Sequence, residues 1–332
     1  MPLLIAAVLA VLLGATTPAT AQTRVVFGLS SEGFLTVPFY IAQTKGFFER
    51  EGIKAETVKL QGGPVTAAAG LAGDVNVMAA LSIATVIQAR AAGQDVRAFA
   101  AMVSELATAL VIQGDMYTKA GLSDASPLKE RLKLLKGITI GVTGAGSSTD
   151  KLARFLSTTA GYQPDRDVTI VPVGSASAII ASFSRRRIDA FVLSSPTPEA
   201  AEIENGGKIL VNFGKGEVPE LRHFLYSLLA ARSDWLKANA DTVRRVVRAI
   251  AAAETFLHAS PAEAMASVQP FFKNTDPRVL EAAFRNNLPA YSKTPRIDPT
   301  GIETALSFAE ATEGKRPPVK AEDVFTNEYL TP

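Results

Sequence analysis

The chain has 332 residues, 47% of them hydrophobic, and its 34 basic residues nearly offset 32 acidic ones. Such a length buries a large core and ordinarily divides into two domains, while basic residues scattered without a stripe or interleaved aromatics exclude nucleic acid as an expected partner. Cysteine is absent, which excludes disulfides, thiolate metal sites, cysteine nucleophiles and a lipid-bearing cysteine.

The chain opens with MPLLIAAVLAVLLGATTPATAQ, an uncharged apolar run followed by Ala19-Thr20-Ala21. The small-x-small ending is that of a signal-peptidase site, and the run is too short for a retained membrane anchor. Residues 1–21 are therefore read as a signal peptide cleaved before Gln22, although no Lys or Arg precedes the apolar run. The expectation is a freely soluble exported protein.

Arg24 to Leu29 alternates as a strand and ends in Ser30-Ser31-Glu32-Gly33. Val37 to Glu51 carries Tyr40, Ile41, Phe47 and Phe48 at helical spacing, so these aromatics are assigned to a core. A strand from Glu56 to Leu60 ends in Gln61-Gly62-Gly63-Pro64, where proline opens a helix. Another, Val75 to Leu81, ends in Ser82 before a helix to about Ala92. This alternation predicts an α/β protein with a mostly parallel sheet covered on both faces. After a strand from Val96 to Met102, Thr108 to Gln113 reads as a strand leaving the first lobe, and Leu122 to Leu135 as a linker.

The stretch from Gly137 to Phe155 organises the second lobe. Ile138, Ile140 and Val142 form a strand feeding a turn with Gly144 and Gly146, after which Ser147, Ser148, Thr149 and Asp150 offer N-cap groups to an amphipathic helix. Backbone N–H groups and hydroxyls converge at such a junction and suit a small polar or anionic ligand. A plain capping box, Ser147-x-x-Asp150, accounts for the same residues, and the Asp150 charge already occupies the positive helix end. The loop is not a P-loop, lacks the third glycine of a dinucleotide fingerprint, and has Ser148-x-x-Lys151 without the Ser-Asp-Asn and Lys-Thr-Gly partners of penicillin-binding enzymes. Strands then follow at Val168 to Val173, ending in Gly174-Ser175, at Ile188 to Leu193, ending in Ser194-Ser195, and at Lys208 to Phe213. Phe224 to Ala231 returns the chain to the first lobe. The remainder reads as helical: Asp241 to His258 places Val243, Val246, Val247, Ile250 and Leu257 on one face, and Pro261, Pro277 and Pro299 stand near later helix starts.

Six strands thus finish in serine or glycine. Ligands of open α/β sheets bind beyond the carboxyl ends of the strands, so two such edges facing each other would form a hydroxyl-rich cleft that a hinge can close. Any single serine or glycine there is also ordinary turn chemistry.

Pro38-Phe39-Tyr40-Ile41-Ala42 with Gly46-Phe47-Phe48-Glu49-Arg50-Glu51-Gly52 resembles the signature of periplasmic substrate-binding proteins of ABC transporters, in the nitrate/sulfonate/taurine and thiamine-pyrimidine (NMT1/THI5-like) family. Leu135 to Val142, Asp167-Val168 with Val173-Gly174, and Arg187-Ile188-Asp189-Ala190 resemble it as well. The resemblance implies a type II periplasmic binding fold with two lobes and two crossing segments: residues 22–107 and 222–332 in lobe I, and 108–221 inserted as lobe II. It implies a monomer without cofactor or metal that delivers a small-molecule solute to an ABC permease in the inner membrane. Its ligand contacts fall on Ser30, Ser31, Glu32, Gly33 and Ser82 in lobe I, and on Gly146, Ser147, Ser148, Thr149, Ser194 and Ser195 in lobe II. Sulfonate binders of this family often add a cation, yet no strand-end loop here contains Arg or Lys. The expected solute is a small organic acid, amide or heteroaromatic compound held by hydroxyls and backbone amides, with Glu32 a ligand contact or a solvated turn residue.

Two other functions stay open at this level. An enzyme on the same fold would have to work with His223 and His258 alone, without a Gly-x-Ser-x-Gly elbow or a His-x-x-x-His pair. A periplasmic sensor module would bind the solute identically and differ only in partner. Arg185-Arg186-Arg187 reads as a permease-docking patch or as the basic end of a helix.

Overall fold

The computed structural model describes residues 22–60 and 62–330. The expected signal peptide, with its cleavage before Gln22, and Gln61 lie outside the described residues.

Among the described residues ten strands form two sheets. The first combines β1 (Thr23–Leu29), β2 (Ile53–Lys59), β3 (Val77–Ser82) and β4 (Val96–Val103) with β10 (Ser227–Arg232), in the order β2-β1-β3-β10-β4. The second holds β5 (Thr108–Gln113), β6 (Thr139–Val142), β7 (Thr169–Pro172), β8 (Ala190–Ser194) and β9 (Gly207–Asn212), in the order β7-β6-β8-β5-β9. The chain crosses between the sheets at residues 104–107 and returns before β10.

In each sheet one strand runs against its neighbours. β10 is antiparallel to β3 and β4, and β5 is antiparallel to β8 and β9. The reason is topological. Both are the first strands after a crossing, so they start at the edge where the other strands finish: Thr108 lies opposite Ser194, and Ser227 opposite Ser82.

Both faces of each sheet are covered, as continuous apolar strands require. In β1, Val25, Phe27 and Leu29 face the helices Val37–Thr44 and Ala240–Ala259, while Val26 joins a second cluster. In β5, Leu110 and Ile112 belong to that second cluster, and Val111 packs with Phe183 and Phe191. The aromatics assigned to the core are there: Phe27, Phe39 and Phe48 pack as a trio with ring centroids 5.0 to 5.3 Å apart, and Tyr40, Ile41 and Phe47 are buried.

Two local expectations change. The helix expected over residues 37–51 is broken at Gly46, whose φ of +68° is left-handed, into Val37–Thr44 and Phe47–Arg50. The expected linker Leu122 to Leu135 contains a short helix, Leu128–Leu132, and a 3-10 turn, because Leu132 and Leu135 have a core to enter. Pro261, Pro277 and Pro299 each occupy the first position of a helix, where the missing N–H costs little. Among the described residues no helix is long and apolar enough to cross a membrane.

Two of the C-terminal helices straddle the sheets. Pro277–Asn287 packs Leu280 and Phe284 with the core of the first sheet, and its Asn286 and Asn287 reach the tip of β8 in the second. Pro299–Glu313 packs Phe308 on Phe155 and Phe224 and bonds Lys151 through Glu313.

Candidate functional site

The strand tips of the two sheets meet along the crossing segments. Ser194 Oγ at the end of β8 lies 3.2 Å from Thr108 Oγ1 at the start of β5, and the Tyr226 hydroxyl, just before β10, lies 3.4 Å from each. The next residue, Ser227, donates to the Leu35 carbonyl at 3.0 Å, which ties the segment after Gly33 to the same edge. Thus one polar seam runs from the first sheet into the second.

The predicted residues take different places along it. Ser30 donates to the Ala80 carbonyl; Ala80 itself has a φ of +53°, a left-handed conformation uncommon for a residue with a Cβ. Ser31 accepts from the Gly33 N–H at 3.2 Å, and its carbonyl accepts from Thr36 at 2.7 Å, so this loop folds as a closed turn. Glu32 is exposed and paired with Lys59 at 2.5 Å. Ser82 caps the helix Ile83–Ala91 by accepting from the Thr85 N–H at 3.3 Å.

In the second sheet, Ser147 Oγ accepts from the Asp150 N–H at 3.3 Å and caps the helix Ser148–Thr159. Asp150 returns the favour by accepting the Gly146 N–H at 2.9 Å, and Thr149 accepts from the Thr143 N–H at 3.0 Å. Gly146, Ser147 and Thr149 are therefore engaged in building the turn. Arg154 Nε donates to Asp150 at 3.0 and 3.2 Å, so the carboxylate at this helix end carries its own counter-charge. Ser195 donates to Glu199 at 3.0 Å and accepts from Asn287 at 2.6 Å. Glu199 is only 2% exposed and also accepts from Asn286 at 3.1 Å; burial pushes its carboxyl above the ordinary range.

Ser82 and Ser148 come together. With Tyr226 they border one chamber of about 90 Å³ between the sheets. Its walls are Ile87, Leu106, Leu152, Phe224 and Phe308. The spacing explains the convergence: Ser148, Lys151 and Leu152 stand three and four residues apart, hence on one face of their helix. Lys151 is a cation that the strand-end loops do not reveal, and its ammonium pairs with Glu313 at 2.5 Å beside the chamber.

Sequence reasoning missed Thr108, Tyr226, Asn286 and Asn287. Thr108 and Tyr226 begin strands or precede them, whereas the expectation searched strand ends, and the two asparagines lie in a helix that joins the edge only by tertiary packing. Lys151 was missed as well, although its place three residues after Ser148 is a helical spacing that sets the two side chains on one face. His258, in the last turn of the helix Ala240–Ala259, has its Nε2 3.1 Å from the Ser292 carbonyl. Arg186 pairs with Asp115 at 3.2 Å. Among the described residues no group of three or more His, Cys, Asp or Glu is arranged to hold a metal.

The family model described as the NMT1-like family matches residues 19–270. The chain belongs to the NMT1-like family. Similar proteins include YtlA of Bacillus subtilis, named as a binding protein, which is 23% identical over 277 residues, covering 82% of this chain and 78% of that one. Among solved structures, the periplasmic aliphatic sulphonate binding protein SsuA from Escherichia coli superposes with a TM-score of 0.69 at 18% identity, covering 92% of this NMT1-like chain and 99% of SsuA. The ligand binding component of an ABC-type import system from Staphylococcus aureus gives 0.69 at 17% identity, over 93% and 98% of the two chains. The NMT1-like chain has the type II periplasmic binding protein fold, with two α/β lobes, a cleft and two crossing segments.

Proposed function

We propose that this NMT1-like chain is the solute-binding component of an ABC importer. It works in the periplasm after loss of residues 1–21, captures a small polar or anionic organic solute between its lobes, and delivers it to a permease in the inner membrane. Residues 22–107 and 222–332 form lobe I, and 108–221 form lobe II. The reading is carried by one observation: Ser82 at the end of β3, Ser148 at the start of the helix after β6 and Tyr226 on the crossing line a single chamber. A solute held there touches both lobes and so favours the closed arrangement over any open one. Ser30, Ser31, Glu32, Gly33, Gly146, Ser147, Thr149, Ser194 and Ser195 are proposed as further contacts of the solute, although they do not line the chamber itself.

The named activities of the relatives support binding rather than catalysis. So do the two histidines, since His223 is exposed and His258 is spent on a backbone carbonyl. Calorimetry of the secreted chain against a panel of small acids, amides and heteroaromatic solutes tests the proposal. Binding is expected for at least one, weakened at least fivefold by Ser148→Ala or Ser82→Ala. A solute whose affinity neither substitution alters would place the site elsewhere.

A further inference from the structure

The chamber itself limits what the solute is. Its volume is about 90 Å³; an engineered apolar cavity of about 150 Å³ admits benzene, so by proportion this one takes an apolar group of about three or four carbon atoms. The walls come from four separate stretches: Ile87 and Leu152 on the capped helices of the two lobes, Phe224 on the return crossing, and Phe308 on the helix Pro299–Glu313. Beside these walls stands one ion pair, Lys151 with Glu313. The Lys151 side chain is 25% exposed, while that of Glu313 is 43% exposed. Glu313 can therefore turn into water more readily than Lys151, and its carboxylate marks a position that another carboxylate can take.

Resting on the importer reading, we propose that the solute is a short-chain monocarboxylate. Its carboxylate takes Lys151 from Glu313 and receives the Ser148 hydroxyl, and its tail of about three or four carbons fills the chamber between Ile87, Leu152, Phe224 and Phe308. Ser82 and Tyr226 provide the polar border that excludes a longer tail from continuing into the cleft.

Calorimetry of the secreted chain with straight-chain acids from acetate to octanoate, and with the matching alkanesulfonates, tests this. Affinity is expected to rise to a maximum at butanoate or pentanoate and to fall at least tenfold by octanoate. Ala305 and Ala309 also line the chamber; Ala305→Leu, which fills it, is expected to remove that maximum, with Ala309→Leu as a second variant and a thermal melt to establish folding. Glu313→Gln is expected to tighten the best acid at least threefold, and Lys151→Gln to weaken it at least tenfold. Acids bound with equal affinity at every length, or a maximum that both filling variants preserve, would overturn the tail chamber and leave the importer reading intact. If sulfonates or uncharged solutes bind and carboxylates do not, the carboxylate assignment is wrong. If no small molecule binds, and none accompanies the protein in native mass spectrometry, the importer reading falls as well.

Discussion

The backbone N–H of His223 donates to both carboxylate oxygens of Glu105 at 3.0 Å, joining the two segments that connect the lobes. His223 adopts a left-handed φ of +61° to make this contact, so the bond holds a strained residue in place. The Glu105 side chain is 16% exposed, and burial raises its carboxyl above the ordinary range despite the His223 N–H. Glu105→Ala is expected to cost about 1.5 to 3 kcal/mol, the range for a hydrogen bond to a charged partner. Chemical denaturation would read the loss; an unchanged midpoint would mean the crossings are held by packing alone.

The same crossing is tightly packed at Gly301. A Cβ there would lie 2.4 Å from the His223 carbonyl oxygen and 3.1 Å from the Leu225 nitrogen. Both are backbone atoms that no rotamer change can move aside. Gly301→Ala is expected to destabilise the protein by about 1 to 3 kcal/mol, as overpacking does. A variant as stable as the parent would show that helix Pro299–Glu313 can slide along the crossing.

Glu254 is fully buried in the helix Ala240–Ala259, with both carboxylate oxygens lacking a hydrogen-bond partner among the described residues. Burial pushes its pKa well above the ordinary value. The folded protein thus keeps a proton that the unfolded chain releases near its ordinary pKa, so this group's contribution to stability is intact below that value and is lost as pH rises through the interval up to the folded pKa. Glu254→Gln removes the titration. The stability of the variant relative to the parent is expected to be constant at low pH and to grow by about 1.4 kcal/mol per pH unit above about pH 4.5. Denaturation at several pH values would measure the difference, and parallel curves would refute it.

Tyr226 shares its hydroxyl with Thr108 and Ser194 and borders the chamber. Tyr226→Phe keeps the ring and removes only that hydroxyl. Solute affinity is expected to fall about two- to tenfold, the equivalent of one hydrogen bond, with the thermal midpoint little changed. Calorimetry with the solute that binds the parent checks this, and an equal affinity would remove Tyr226 from the site.

Much of the architecture was legible because it rests on neighbours in sequence. Ser147 caps its helix as its position suggested, Ser82 and Ser175, read as strand ends, cap helices too, and the aromatic spacing in residues 37–51 located a core. Gly46 was less easily read, since a helical period persists across a short break. The candidate site was legible only where strands end. Thr108 and Tyr226 escaped because chain direction relative to the cleft is set by which lobe a strand enters from, and Asn287 escaped because nothing near it in sequence refers to β8.

By itself the sequence determined where strands and helices form, how they are capped and which faces are apolar, since those depend on interactions within a turn or two of the chain. The tertiary structure alone decided that Ser82 and Ser148 share a chamber, that Lys151 stands against Glu313, and that helices from the C-terminal third bridge both lobes. Those encounters are set by how two sheets pack through their crossings, a geometry that side-chain periodicity does not encode.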